Sequence, residues 1–252
     1  MKNVRNLRAA ALAAALVLAA TVPFLIAAST GGSQISYASG QCYQGAGPQG
    51  PWAEIKKGDL INEGSYVKTE AGSRVEITMA DGSVLRLGDS TLFLLETGKA
   101  KKDKGMSFSV ILGKAWAKVK TVTGGQKFEV KTKTAVAGVR GTVFSVLAQQ
   151  DAGTVVKVFE GLVAVNNKPA REGAQGAKAA VDGAKKTDRV EVAGPKEVSK
   201  KTWEEMIAKA MTMVKVASNG EMTEPLAFEL EVEKKDDWVA WNMERDAKMK
   251  AQ

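Results

Sequence analysis

Short runs of apolar or alternating residues, separated by turn residues, fill positions 52–165. Positions 74–79 alternate strictly and place Val75, Ile77 and Met79 on one face, the period-2 pattern of a half-buried strand. Ala80-Asp81-Gly82-Ser83 follows as a hairpin turn, and positions 84–87 form the return strand. Along 107–121, Phe108, Val110 and Leu112 share a face up to Gly113, which marks a turn or bulge. Beyond it Ala115, Ala117 and Val119 point inward and leave Lys114, Trp116, Lys118 and Lys120 on the opposite face. About ten short strands at this spacing predict a mainly β fold, a roll, sandwich or barrel.

The most distinctive stretch is 130–146. Two extended runs flank a small-residue crossing, Ala135-Val136-Ala137-Gly138-Val139-Arg140-Gly141, which continues into Thr142 and Phe144. Small residues allow backbones to approach closely, so the crossing is structural. Arg140 is expected to be at least partly buried and paired with a carboxylate, Glu160 or Asp81, or with backbone carbonyls. Glu160-Gly161 is a further turn signal between the runs 154–159 and 162–165. Tyr66-Val67-Lys68-Thr69 and Glu129-Val130-Lys131-Thr132 echo one another faintly.

Positions 167–198 are rich in Ala, Gly, Lys and Asp and are expected to be a linker, with a short strand at Val190-Glu191-Val192. The C-terminal extension, 199–252, is expected to be helix, strand, helix. Trp203, Ile207, Met211 and Val214 recur at helical spacing behind a Thr202/Glu205 capping box. Positions 226–232 alternate as a strand. A final helix over 238–250 is capped by Asp236 or Asp237 and carries Trp238, Trp241 and Arg245 on one side.

Composition narrows the chemistry. The 252 residues include no histidine and one cysteine, Cys42. Histidine-dependent triads and cysteine-rich metal sites are thereby excluded, and neither a cofactor nor a metal is expected. Net charge is +8, with no aromatic-interleaved basic motif of the kind that binds nucleic acid. Lys2, Arg5 and Arg8 precede an uncharged run, 9–28, with the pattern of an export leader. Residues 1–29 are read either as a cleaved signal peptide or as a retained inner-membrane anchor. In both cases the rest is exported, and membrane contact is confined to an uncleaved leader. Gln41 before Cys42 is a poor match to a lipidation motif, and 30–51 is expected to be a flexible spacer.

The body resembles the FecR domain, the periplasmic domain of regulators of iron-siderophore uptake. The residues that carry the resemblance run in order. They are Lys57-Gly58-Asp59, Glu63-Gly64, Val67-Lys68-Thr69, Asp81-Gly82-Ser83, Leu85-Arg86-Leu87-Gly88 and Leu112-Gly113-Lys114-Ala115. They end with the segment from Thr134 to Phe144 and with Val158-Phe159-Glu160-Gly161-Leu162-Val163. The match covers roughly 52–166. It implies a compact all-β exported module that receives a protein signal. Only eight residues precede the apolar run, so no cytoplasmic sigma-factor-binding segment is expected, and a stand-alone envelope version is. Trp238-Val239-Ala240-Trp241-Asn242 is read as part of the same likeness.

The function expected from these features is non-enzymatic binding of a protein or envelope polymer, with an outer- or inner-membrane signalling partner. The alternative is an adhesion or assembly scaffold. Lys114, Trp116, Lys118, Lys120, Trp238 and Trp241 are the candidate contact residues. Gly138, Arg140, Gly141, Thr142, Phe144, Glu160 and Gly161 form the structural motif. Carboxylates such as Asp81, Asp89 and Glu160 sit at turn signals, where local structure accounts for them.

Overall fold

Alternating inward residues on most strands build two facing layers. The computed structural model describes residues 32–96, 106–120, 128–139, 141–167 and 207–250, all within one unit, Gly32–Gln252. Seventeen strands occur among them. They are β1 (Ser33–Ser39), β2 (Cys42–Gly45), β3 (Trp52–Glu54), β4 (Leu60–Ile61), β5 (Tyr66–Thr69), β6 (Arg74–Thr78), β7 (Val84–Leu87), β8 (Thr91–Leu95) and β9 (Met106–Lys118). The series continues with β10 (Phe128–Lys131), β11 (Ala135–Val139), β12 (Val143–Gln149), β13 (Gly153–Glu160), β14 (Leu162–Asn167), β15 (Ile207–Lys209), β16 (Thr212–Val216) and β17 (Leu226–Ala227). Two helices close it, α1 (Leu230–Glu233) and α2 (Asp237–Lys250).

One sheet runs β4-β1-β6-β7-β9-β12-β13-β16-β17. The other runs β3-β2-β5-β8-β9-β10-β11-β14-β15. Pairing is antiparallel except between β9 and β10. The two sheets share β9, whose first half belongs to one and second half to the other. The main core lies between them, with Val67, Val75, Ile77, Leu85, Phe93, Phe108, Phe144 and Val158 all buried. The expected mainly β architecture is therefore present, with open sheets and not a barrel, and with more strands than the ten that turn signals resolve.

The chain switches sheets repeatedly, and residues of positive φ mark the switches. Gly141 (φ 61), between β11 and β12, marks one of them, and Gly161 (φ 86) carries the switch from β13 to β14. The switch inside β9 falls at Gly113, φ 92. A Cβ there would stand 2.6 Å from Thr91 Cα and 2.7 Å from the Ser90 carbonyl oxygen. Both are backbone atoms that cannot step aside. Gly113→Ala is therefore expected to lower unfolding free energy by about 1–3 kcal/mol or more, read by chemical denaturation. An unchanged midpoint would show that β9 bends elsewhere.

Several expectations are corrected. Positions 33–45 are not a spacer: β1 pairs with β4 and β6, and β2 pairs with β3 and β5. Cys42 lies in β2, 1% exposed, with its Sγ donating to the Ser39 carbonyl at 3.4 Å. Burial pushes its thiol pKa up, against two backbone hydrogen bonds that lower it. The helix expected through 207–216 is instead β15 and β16, which extend opposite sheets, joined through Met211 at φ 63. The strand expected over 226–232 ends at Ala227. There Phe228 turns to meet Phe159 at 5.3 Å between ring centroids, and Glu233 of α1 reaches Lys157 at 2.7 Å. In the second sheet β5 lies between β2 and β8, and β10 lies between β9 and β11. The leader, the tip at 98–105, the turn at Thr123-Gly124-Gly125, Arg140, and the linker with Val190–Val192 and Trp203 lie outside the described residues. Among the described residues no helix is long and apolar enough to cross a membrane.

Candidate functional site: a charged platform under the C-terminal helix

The outer face of the first sheet would be expected to meet water, but α2 lies on it. Asp236 Oδ1 accepts the N–H groups of Trp238 (2.7 Å) and Val239 (3.3 Å), which fixes the start of the helix. The buried positions of α2 are Trp238, Val239, Asn242 and Asp246. Three of these, Trp238, Asn242 and Asp246, are spaced by four, so one stripe of the helix passes from tryptophan to amide to carboxylate.

The sheet answers with matching chemistry. The Asp81-Gly82 turn sets the β6/β7 register so that Glu76 stands opposite Arg86, while Arg86 stands opposite Trp116 on β9. Arg86 is fully buried. Its Nε donates to Glu76 Oε2 at 2.6 Å and its Nη1 to Asp246 Oδ1 at 2.8 Å. Nη1 also lies 3.3 Å from the Asn242 carbonyl oxygen. Arg245 of α2 closes on the same carboxylate with two bonds, Nε to Glu76 Oε2 at 2.7 Å and Nη2 to Oε1 at 2.8 Å. Ser36 Oγ donates to Glu76 Oε1 at 2.7 Å. The second oxygen of Asp246 accepts the Trp116 indole N–H at 3.0 Å, and Lys118 Nζ donates to the Asp246 backbone carbonyl at 3.1 Å. One glutamate and one aspartate thus hold two arginines, a lysine and an indole, with short charge-assisted geometry.

Burial pushes the Glu76 pKa up, but hydrogen bonds from Arg245, Arg86 and Ser36 and the charge of Arg86 outweigh it and hold the carboxyl at about 2. The same bonds from Glu76 push the Arg245 pKa up, against burial. Because the folded pKa of Glu76 lies below the free value of 4.5, its contribution is complete above about pH 4.5 and is lost as pH falls towards 2. At about 1.4 kcal/mol per unit this amounts to roughly 3 kcal/mol. The expected result is that the stability gap between wild type and Glu76→Gln narrows by roughly that amount between pH 6 and pH 2, measured by denaturant unfolding. A gap that stays constant over this range would rule out the ionised Glu76 as its source.

Aromatic rings complete the interface. Trp116 and Phe159 lie 4.4 Å apart between ring centroids and form a small second core with Val143, Trp238 and Val239. Trp238 and Trp241 stack at 5.5 Å, with Arg74 Cζ 4.9 Å and Arg245 Cζ 5.2 Å from the Trp241 ring centroid. Tyr37 lies 5.7 Å from Trp241.

The structure therefore brings Trp116, Lys118, Trp238 and Trp241 together, as contacts within the chain. Trp116 is 1% exposed, so the expected open Lys/Trp face is corrected: the alternation is right, and α2 covers it. Lys114 pairs with Asp89 at 2.8 Å, 5.9 Å from the Trp238 ring centroid, and Lys120 is exposed. Of the structural motif, Thr142 and Phe144 are buried and Gly138 lies within β11 beside β14. Glu160 pairs with Lys250 at 2.9 Å, Asp81 with Ser83 at 2.8 Å, and Arg140 lies outside the described residues.

Sequence reasoning gave no site role to Glu76, Arg86, Asn242, Arg245 or Asp246, although it placed Arg245 on the helix side of Trp238 and Trp241. A signal for the first two was present: a hairpin turning at Asp81-Gly82 must pair 76 with 86. Among the described residues no cluster of metal-ligating side chains occurs.

Comparison with known families matches residues 65–164 to the family model described as FecR protein. Two crystal structures of a candidate anti-sigma factor from Parabacteroides distasonis ATCC 8503 are similar in structure, each at 19% identity. The TM-scores are 0.46 and 0.45; 69% and 66% of this chain are covered, against 64% and 61% of those chains. The chain thus spans less than two thirds of the proteins it is compared with. No curated protein matches.

Proposed function

With residues 65–164 a FecR-family domain, we propose that this protein is an exported, non-enzymatic envelope regulator that binds a protein partner in signalling. The family assignment supports a signalling-related regulatory role. The observation that carries the binding part is the platform of Glu76, Arg86 and Trp116, which receives an amphipathic helix through paired charges and an indole hydrogen bond. In this structure the helix is α2 of the same chain. A partner helix of like chemistry would occupy the platform when α2 leaves it, a helix-on-face mode of recognition. Among the described residues the edge strands of the sheets, β4, β17, β3 and β15, are short, which leaves little length for strand addition there.

The test is crosslinking in the protein's own cells followed by mass spectrometry, comparing wild type with Asp246→Ala. Asp246→Ala removes one anchor of α2. Partner crosslinks that map to strands β7, β9 and β12 and rise several-fold in the variant support the reading. Crosslinks absent from that face in both forms would overturn it.

A further inference from the structure

Beside the charge cluster, α2 does not seal the sheet completely. A cavity of about 250 Å³ remains between the helices and the outer face. Its floor is the Trp116/Phe159 ring pair, its roof Met243 and Ala247 of α2, and its sides Met211 and Leu230. Three features set it apart from a packing defect. First, its size: roughly 150 Å³ of apolar cavity already accommodates benzene, and this pocket, open to solvent on the side of Ala247 and Lys250, has more room. Second, its polar atoms are few and spoken for. Both Asp246 oxygens are engaged by Arg86 and Trp116, so the interior offers no free charge to a ligand. The Glu160–Lys250 pair lies at the solvent side, 59% and 61% exposed. Third, Met211 forms one wall in a left-handed conformation, φ 63, held by its N–H to the Val158 carbonyl at 2.7 Å and by the Phe228 N–H to its own carbonyl at 3.1 Å. This backbone carries the switch from β15 to β16, so the fold fixes the position of the wall.

We propose that this cavity is a binding site for a small, uncharged aromatic molecule of one or two fused rings. The volume sets the ring number. The Trp116/Phe159 pair offers an aromatic wall, and the Met211 and Met243 thioethers suit ring edges. The absence of a free charge in the lining selects a neutral ligand. A single N–H or O–H on the ring can reach Glu160 at the solvent side. The site goes beyond the protein-docking reading and does not depend on it. Bound between floor and roof, the ligand holds α2 closed and so stabilises the covered state by mass action.

The experiment uses the purified full-length protein with methyl-labelled methionine, titrated with indole and followed by NMR. The expected result is saturable movement of the Met211 and Met243 methyl signals, with a dissociation constant on the order of 0.1–1 mM for a ligand of this size. The signal of Met79, buried in the other core, stays in place. Ala247→Phe fills the cavity from the helix and weakens binding about tenfold or more, whereas Ala247→Ser leaves it intact. Leu230→Trp blocks from the opposite wall and decides the matter should Ala247→Phe fail to fold. No saturable shift up to about 10 mM overturns the proposal. So does binding that survives in a folded blocking variant, because the ligand then sits elsewhere.

Discussion

Glu76→Gln is expected to lower unfolding free energy by about 3–5 kcal/mol at neutral pH. The carboxylate accepts from two guanidinium groups and a hydroxyl at once. Glutamine has one acceptor oxygen, and its amide N–H₂ would face a guanidinium. Arg86, fully buried, would keep only its Asp246 side, and Arg245 would lose its carboxylate partner. An uncompensated buried charge is the costly outcome, more than the lost attraction itself. Urea unfolding measures the effect, and a double-mutant cycle with Arg245→Met assigns it. Removing Arg245 should cost less once Glu76 is gone, by at least about 1 kcal/mol of coupling. A loss under about 1 kcal/mol for Glu76→Gln would mean that water reaches the cluster and that it does not anchor the helix.

The second large effect concerns the helix as a whole. Deleting 229–252 removes α1 and α2 and leaves Trp116, Phe159 and Arg86 bare on the first sheet. The main core between the sheets contains no residue from either helix, so the β fold is expected to survive. The second core loses Trp238 and Val239 and the cover over two more aromatic side chains. At about 1.5–3 kcal/mol for each fully buried large apolar side chain, the loss is on the order of 5 kcal/mol, a large part of a domain's total. Tryptophan emission should shift to the red, melting temperature should fall, and the exposed face should promote self-association visible by light scattering. Unchanged emission and melting would show that α2 rests on the sheet without supporting it.

The layered β fold was legible because its core obeys period-2 alternation: Val75 and Ile77, or Phe108 and Val110, announce their face. The helix-to-sheet interface was not, for a physical reason. Hydrophobic periodicity finds apolar stripes, and beside its aromatic core this contact is made by Asn242, Arg245 and Asp246 against Glu76 and Arg86. Each of these residues alone reads as a solvated surface position. The tail misled in the opposite sense. Ile207, Met211 and Val214 fall at helical spacing, yet Ala208, Val214 and Val216 are the positions buried against strands already in place. Tertiary pairing overrode a weak local signal. Within the segment 135–141, residues 135–139 form β11 and Gly141 has φ 61, while Arg140 lies outside the described residues; the buried arginine paired with a carboxylate that the structure does describe is Arg86.

The covering of Trp116 by Asp246 also has a timing. The two residues stand 130 positions apart. At a synthesis rate of about 5–20 residues per second, roughly 6–26 s pass after Trp116 is made before the carboxylate that receives its indole N–H exists. For the part of that interval after Phe159 has also been made, a face bearing Trp116, Phe159 and Arg86 is open to any other helix. The nascent chain is therefore where the wrong helix could first take the place of α2.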